Sequence, residues 1–231
     1  LSGLNTITYT ATKVDGTQEQ KTTYWNMRSK LMVEMNELRA EQKPYFDKVA
    51  ATSFEDVSKD AELMQFVNSA GKTLFTDNCA PCHQAGGQGK IKLAPNLTDD
   101  YWQYGGKYEE IQATLTAGRH GMMPAFKATL TDEEITQAAN YVLSLSGEPN
   151  DAAAAKAGDA LFHGKAGCMA CHGVDAKGMT ALGSANLTDK IWLWADVQGA
   201  KTPEAKLDEV KNVVRNGLDK GVMPAWSPRV T

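Results

Sequence analysis

Apolar positions recur at helical spacing in three stretches of the chain. From Asp60 to about Asn78, Leu63, Phe66, Val67, Ala70, Leu74 and Phe75 follow an i, i+3, i+4 pattern, which predicts a helix. Thr131-Asp132-Glu133-Glu134 is a capping box, and it opens a second helix whose inward stripe is Ile135, Ala138, Ala139, Val142 and Leu145. Tyr24, Met27, Leu31, Met35 and Leu38 recur among Lys, Glu and Arg, so residues 24 to about 42 are expected to form an amphipathic helix. Its apolar stripe needs a partner, either the neighbouring domain of this chain or another protein. Between the first two of these helices the chain is rich in Gly, Pro and Asn, a composition of loops and not of a sheet. Residues 1 to 20, with much Thr, Lys and Gln, show no clear period. The fold class expected from this pattern is all-α.

The pattern is also duplicated, and five landmarks recur in the same order. Gly71-Lys72-Thr73-Leu74-Phe75 matches Gly158-Asp159-Ala160-Leu161-Phe162, and a Cys-x-x-Cys-His motif follows each. Asn96-Leu97-Thr98-Asp99 matches Asn186-Leu187-Thr188-Asp189, with Trp102 and Trp192 four residues past the Thr. Gly121-Met122-Met123-Pro124-Ala125-Phe126 matches Gly221-Val222-Met223-Pro224-Ala225-Trp226. The breaker cluster Ser146-Gly147-Glu148-Pro149-Asn150 is the seam. The expected domains are an N-terminal segment over 1–58, one repeat over 59–147 and a second over 148–231. Thr231 stands eight residues beyond Met223, where the first repeat has the cap of its closing helix, Thr131. A second closing helix is therefore expected beyond residue 231, since without it the second repeat would leave an apolar face open to water.

The chain has 231 residues and a formal net charge of −4, with neither half strongly basic, which excludes the phosphate-neutralising surface of a nucleic-acid binder. No apolar stretch approaches the roughly 18 residues that a membrane-spanning helix needs. Residue 1 is Leu, so the chain reads as processed or cut, and any membrane anchor is expected N-terminal to Leu1.

The four cysteines all belong to the two motifs, Cys79-Ala80-Pro81-Cys82-His83 and Cys168-Met169-Ala170-Cys171-His172, leaving none for disulfides. A redox Cys-x-x-Cys or a four-Cys zinc site is the competing reading, but neither needs a His directly after the second Cys. The pattern points to two c-type haems, covalently attached through Cys79, Cys82, Cys168 and Cys171. His83 and His172 are then the proximal iron ligands. A thioether is a soft distal ligand that raises the reduction potential, and Met-Pro occurs once in each repeat. Met122 aligns with Val222, which cannot bind iron, whereas Met123 aligns with Met223, so Met123 and Met223 are the expected distal ligands. Core filling is the alternative for these methionines. His120 is a rival distal candidate, more simply read as a loop His facing solvent, and His163 has no counterpart in the first repeat and reads as structural. Iron held by His and Met has no vacant position for a substrate, so no catalytic residue is expected and the chemistry is outer-sphere electron transfer. A dihaem peroxidase would need an open or displaceable distal position. By resemblance to c-type cytochromes in general, the two repeats are expected to be tandem cytochrome c-like domains located in the bacterial periplasm.

A more specific resemblance rests on Pro95-Asn96-Leu97-Thr98-Asp99-Asp100-Tyr101-Trp102-Gln103-Tyr104-Gly105-Gly106, then Ile111, Gly118-Arg119 and Met123-Pro124-Ala125-Phe126. From roughly Trp25 to its end the chain resembles the dihaem cytochrome subunit, CcoP or FixP type, subunit III, of cbb(3)-type cytochrome c oxidases. The resemblance implies an N-terminal membrane anchor absent from this chain, and electron transfer from a soluble donor cytochrome or the monohaem subunit towards the catalytic subunit that reduces dioxygen. By the same analogy Arg119 and Trp102 are candidates to hydrogen-bond haem propionates. The second repeat departs from the pattern at Trp192-Leu193-Trp194-Ala195, and Gln198 to Leu207 reads as an extra hydrophilic segment. The alternatives are a free-standing periplasmic dihaem shuttle, or the cytochrome subunit of a dehydrogenase.

Overall fold

Two antiparallel ladders correct the all-α expectation. The structure, a computed structural model, is 47% helix and 13% strand, with two separate two-stranded sheets. It describes residues 6–13, 16–24, 26–227 and 229; the expected boundaries at Leu1 and Thr231, and Trp25 where the resemblance begins, lie outside them. The described residues fall into two compact units, Leu1–Lys72 and Thr73–Thr231.

In the first unit, β1 (Thr6–Thr12) pairs in register with β2 (Gln18–Tyr24), from Thr6 opposite Tyr24 to Thr12 opposite Gln18. Threonine at every second position from 6 to 12 supplies β-branched side chains suited to a pleated surface. Thr8 and Thr22 share a hydrogen bond of 3.0 Å across the strands, and Gly16 takes the positive φ of 81° in the turn. α1 (Met27–Ala50) is longer than the sequence pattern indicated. Its N-cap Asn26 accepts from the Ser29 N–H at 2.7 Å, and it carries Pro44 inside. No residue of α1 is buried, and the expected stripe at Met27, Leu31, Met35 and Leu38 is exposed. α2 (Phe54–Val57) is capped by Ser53 and leads to α3 (Ala61–Asn78), which begins in this unit and ends in the second. Phe66 of α3 stacks on Tyr45 and meets Phe46 edge-on, with centroids 5.2 and 5.0 Å away.

In the second unit the elements after α3 are α4 (Ala80–His83), α5 (Tyr108–Ala117), β3 (Arg119–Met123), α6 (Asp132–Leu145), α7 (Ala152–His163), α8 (Met169–His172), α9 (Pro203–Asn216) and β4 (Leu218–Met223). The Thr131 capping box forms as expected, with both reciprocal bonds present. α5 and α9 were not legible as helices. They are counterparts, each ending at a glycine of positive φ, Gly118 and Gly217. The segment read as an extra hydrophilic insertion is largely the entry to α9, whose Thr202 caps it and whose Pro203 suits the first helical position.

The loop-only reading of the distal segments is also corrected, because β3 pairs antiparallel with β4. The second repeat has one more residue than the first between its glycine and its Met-Pro. A register shift at His120/Gly121 absorbs it, and Gly221 sits there with φ of 77°.

α6 packs on α7 and on α9. Ile135, Ala139, Val142 and Leu143 of α6 form one buried cluster with Ala195, Val197, Val210 and Val214. The helix that follows the first repeat's Met-Pro thus packs on side chains of the second repeat. At the α6–α7 contact, Gly158 leaves no room for a Cβ against the Gln137 carbonyl. No described helix is long and apolar enough to cross a membrane.

A buried ion pair ties the seam to α9. Glu148 is 7% exposed, and Lys206 Nζ lies 2.5 Å from its carboxylate with Gln198 Nε2 at 3.1 Å. Lys206 holds the Glu148 carboxyl below its ordinary value of 4.5, so the stabilisation is present above that value and is lost as pH falls through the lowered one. Lys206→Met, which strands a buried charge, is expected to cost about 3 kcal/mol at neutral pH in urea unfolding. The deficit should shrink as pH falls below the ordinary carboxyl value and Glu148 takes up a proton; a cost independent of pH would contradict this role.

Candidate functional site

Each Cys-x-x-Cys-His motif folds as one helical turn. The His83 and Cys82 amides donate to the Cys79 carbonyl at 2.9 and 3.1 Å, and the His172 and Cys171 amides donate to the Cys168 carbonyl at the same distances. The i, i+3 spacing puts both sulfurs of a motif on one side of that turn. All four are free thiols. Burial pushes the Cys79 and Cys168 thiols up, with the neighbouring motif cysteine adding to it. A redox-active Cys-x-x-Cys works with a lowered thiol instead.

The two imidazoles are oriented in the same way. His83 Nδ1 donates to the Pro95 carbonyl at 3.0 Å, and His172 Nδ1 donates to the Ala185 carbonyl at 2.9 Å. A carbonyl can only accept, so the proton sits on Nδ1 and Nε2 keeps its lone pair for a metal. Burial of His172 lowers its pKa, opposed by its bond to Ala185, which favours the neutral ring a metal needs.

The loop that delivers the carbonyl is built identically twice. Asn96 and Asn186 side chains accept from the backbone N–H and hydroxyl of Thr98 and Thr188, at 2.9 and 2.7 Å in one repeat and 2.9 and 2.8 Å in the other. The Gly89 and Gly178 amides donate to the His83 and His172 carbonyls at 2.9 and 2.8 Å. Both glycines have positive φ, 69° and 78°, and a Cβ at either would collide with the backbone just before the Asn. This pair was missed from the sequence, although each lies six residues past its His.

The expected distal residues lie at opposite ends of the β3–β4 ladder, Met123 opposite Leu218 and Met223 opposite Arg119. Met123 and Met223 are partly buried, while Met122 is 75% and Val222 67% exposed, on the alternate face of their strands. His120 is exposed, and its Nε2 lies 2.7 Å from Asp219 Oδ1. His163 has both ring nitrogens engaged, by Val174 O at 2.9 Å and by Asp159. Arg119 donates through Nε to Thr114 Oγ1 at 2.9 Å, with its guanidinium 4.6 Å from the Tyr104 ring centre, and Trp102 is exposed. Among the described residues Trp192 Nε1 and Asp189 Oδ2 are buried without a partner. Among the described residues no three His, Cys, Asp or Glu side chains converge closely enough to hold a metal ion.

Two stretches, residues 67–142 and 153–231, match the family described as cytochrome c oxidase, cbb3-type, subunit III, one stretch to each repeat. The chain belongs to that family. The cbb3-type cytochrome c oxidase subunit FixP of Azorhizobium caulinodans is 41% identical over 216 residues, covering 90% of this chain and 69% of the relative. Subunit FixP of Bradyrhizobium sp. (strain ORS 278) is 41% identical over 220 residues, covering 89% and 70%. Subunit CcoP of Rubrivivax gelatinosus is 45% identical over 170 residues, covering 73% of this chain and 53% of the relative. The duplicated His loop is thus the local geometry of a cbb3-type subunit III, a cytochrome subunit of the oxidase.

In the chain without cofactor, His83 and His172 are expected to show the Nδ1–H tautomer at neutral pH in long-range nitrogen–proton correlation spectra. An Nε2–H tautomer at either ring would contradict the carbonyl contacts.

Proposed function

We propose that this chain carries two covalently attached c-type haems and relays electrons to the catalytic subunit of a cbb3-type cytochrome c oxidase. The observation that carries the proposal is the duplicated imidazole geometry, each Nδ1–H held by a carbonyl and each Nε2 left available, one residue after a Cys pair on a helical turn. The residues fit the group in other ways. Leu93 and Leu182, each ten residues past its His, are 44% and 55% exposed, leaving apolar surface on the same loop of both repeats for a porphyrin to cover. The buried Trp192 indole N–H awaits an acceptor.

On this reading Cys79, Cys82, Cys168 and Cys171 would hold the porphyrins by thioethers, and His83, His172, Met123 and Met223 would ligate the iron. The bound haem supplies a one-electron couple, and the protein sets its potential through the ligands, burial and hydrogen bonds. With its iron so ligated, the chain would contribute to oxidase activity as an electron-transfer subunit within the complex. The catalytic and monohaem subunits and a soluble donor cytochrome are its partners. The domain sits on the periplasmic side of the inner membrane, as part of the membrane-bound oxidase. A zinc site shared by the four thiols finds no support in a chain where the two motifs do not converge.

The test is spectroscopic. In protein matured with haem, both sites are expected to be low-spin with His and Met ligation, and the ferric form should show the long-wavelength sulfur-to-iron band. Met123→Ala should remove the band for one haem only, and Met122→Ala should leave both. Loss of the band in Met122→Ala, or its absence from the parent protein, would refute this ligand set.

A further inference from the structure

The two repeats are not joined as two finished bodies. In the buried cluster of the second unit, every core residue that the first repeat contributes lies at or beyond Leu130, and the partly buried side chains joining it from that repeat begin at Met123. Residues 73–122 contribute none. The remaining members, from Ala166 to Val214, belong to the second repeat. The chain therefore passes from one repeat into the other along β3, and α6 follows it onto α7 and α9.

β4 makes the converse passage. Gly118, at the end of α5, has no room for a Cβ because the Met223 carbonyl lies against it, and Gly217, at the end of α9, is pressed in the same way by the Met123 carbonyl. Phe126 N–H donates to the Val214 carbonyl at 3.1 Å and Lys127 N–H to that of Arg215 at 3.2 Å, while Trp226 N–H donates to the Leu115 carbonyl at 2.9 Å. The first repeat's Met-Pro-Ala-Phe is thus docked on the second repeat's helix, and the second repeat's Met-Pro-Ala-Trp on the first repeat's helix. The relation is reciprocal, residue for aligned residue.

We propose that the two sites exchange their distal methionines, Met123 completing the site of His172 and Met223 completing the site of His83. This rests on the reading of these four residues as haem ligands and goes beyond it by assigning which sulfur serves which imidazole. Neither site is complete until both repeats have folded, so ligation at one haem depends on the integrity of the other repeat.

The experiment uses the full chain, matured with haem, carrying Cys79→Ser and Cys82→Ser so that only the haem of His172 is attached. Adding Met123→Ala is expected to abolish the sulfur-to-iron band of that single haem, and adding Met223→Ala to leave it. The complementary chain, with Cys168→Ser and Cys171→Ser, is expected to show the opposite dependence. Retention of the band in Met123→Ala and its loss in Met223→Ala in the first chain would overturn the exchange while leaving Met ligation intact. No band in the dihaem parent would instead overturn the ligand reading itself, and the exchange with it. Where a single-haem chain fails to mature, the same question is put to the dihaem protein with 13C-methyl methionine. An Overhauser contact from the Met123 methyl to the haem bonded to Cys168 and Cys171 supports the exchange, and one to the other haem refutes it.

Discussion

A ring N–H that meets a backbone carbonyl decides which nitrogen of an imidazole is left for a metal, and the second unit is organised around making that contact twice. The carbonyls of Pro95 and Ala185 are useful only if the chain returns to the His at a set distance. Gly89 and Gly178 allow the return, and the Asn96 and Asn186 side chains hold the turn that follows it. These partners are short-range, and the same bonds recur in both repeats. Hydrogen bonds of this kind to a ring N–H fix ring orientation and ligand basicity at metal sites in general.

The longer-range packing is of another sort, because it interlocks the repeats. The stripe of α6 finds its apolar partner on α7 and α9, and the two Met-Pro strands find theirs in each other. Hydrophobic burial is indifferent to which repeat supplies the covering surface, whereas backbone hydrogen bonds demand a particular register. The glycine at each helix end makes that register specific, since only a residue without a side chain lets the partner's methionine carbonyl lie so close. The chain from Thr73 onward packs as one compact unit, even though its sequence reads as two modules.

Much of the site was legible in the sequence, because covalent and metal chemistry demands particular residue types at short spacing. Cys-x-x-Cys-His, Asn-Leu-Thr-Asp and Met-Pro-Ala are such patterns, and Met122, which aligns with Val222, is exposed as Val222 is. The α6 helix was legible too, from the Thr131–Glu134 box. The failures have physical causes. The β1–β2 hairpin was hidden by its polar composition, for alternation there runs between threonine and mixed residues and buries little. The β3–β4 ladder joins segments about a hundred residues apart, and no local propensity encodes such a pairing. α5 and α9 are short or polar, and their neighbouring glycines suggested loops. The docking of α6 on the second repeat likewise depends on surfaces that no single stretch of chain displays.

Whether the two duplicated turns each carry a haem is read from the intact mass of the chain produced in cells able to attach haem, measured under denaturing conditions with alkylation of free thiols. The chain is expected to be heavier by two haem groups, with no thiol left to alkylate and with the increments mapping to the peptides of Cys79–Cys82 and Cys168–Cys171. An unmodified mass with four alkylated cysteines, or zinc retained at those thiols, would contradict the two-haem reading.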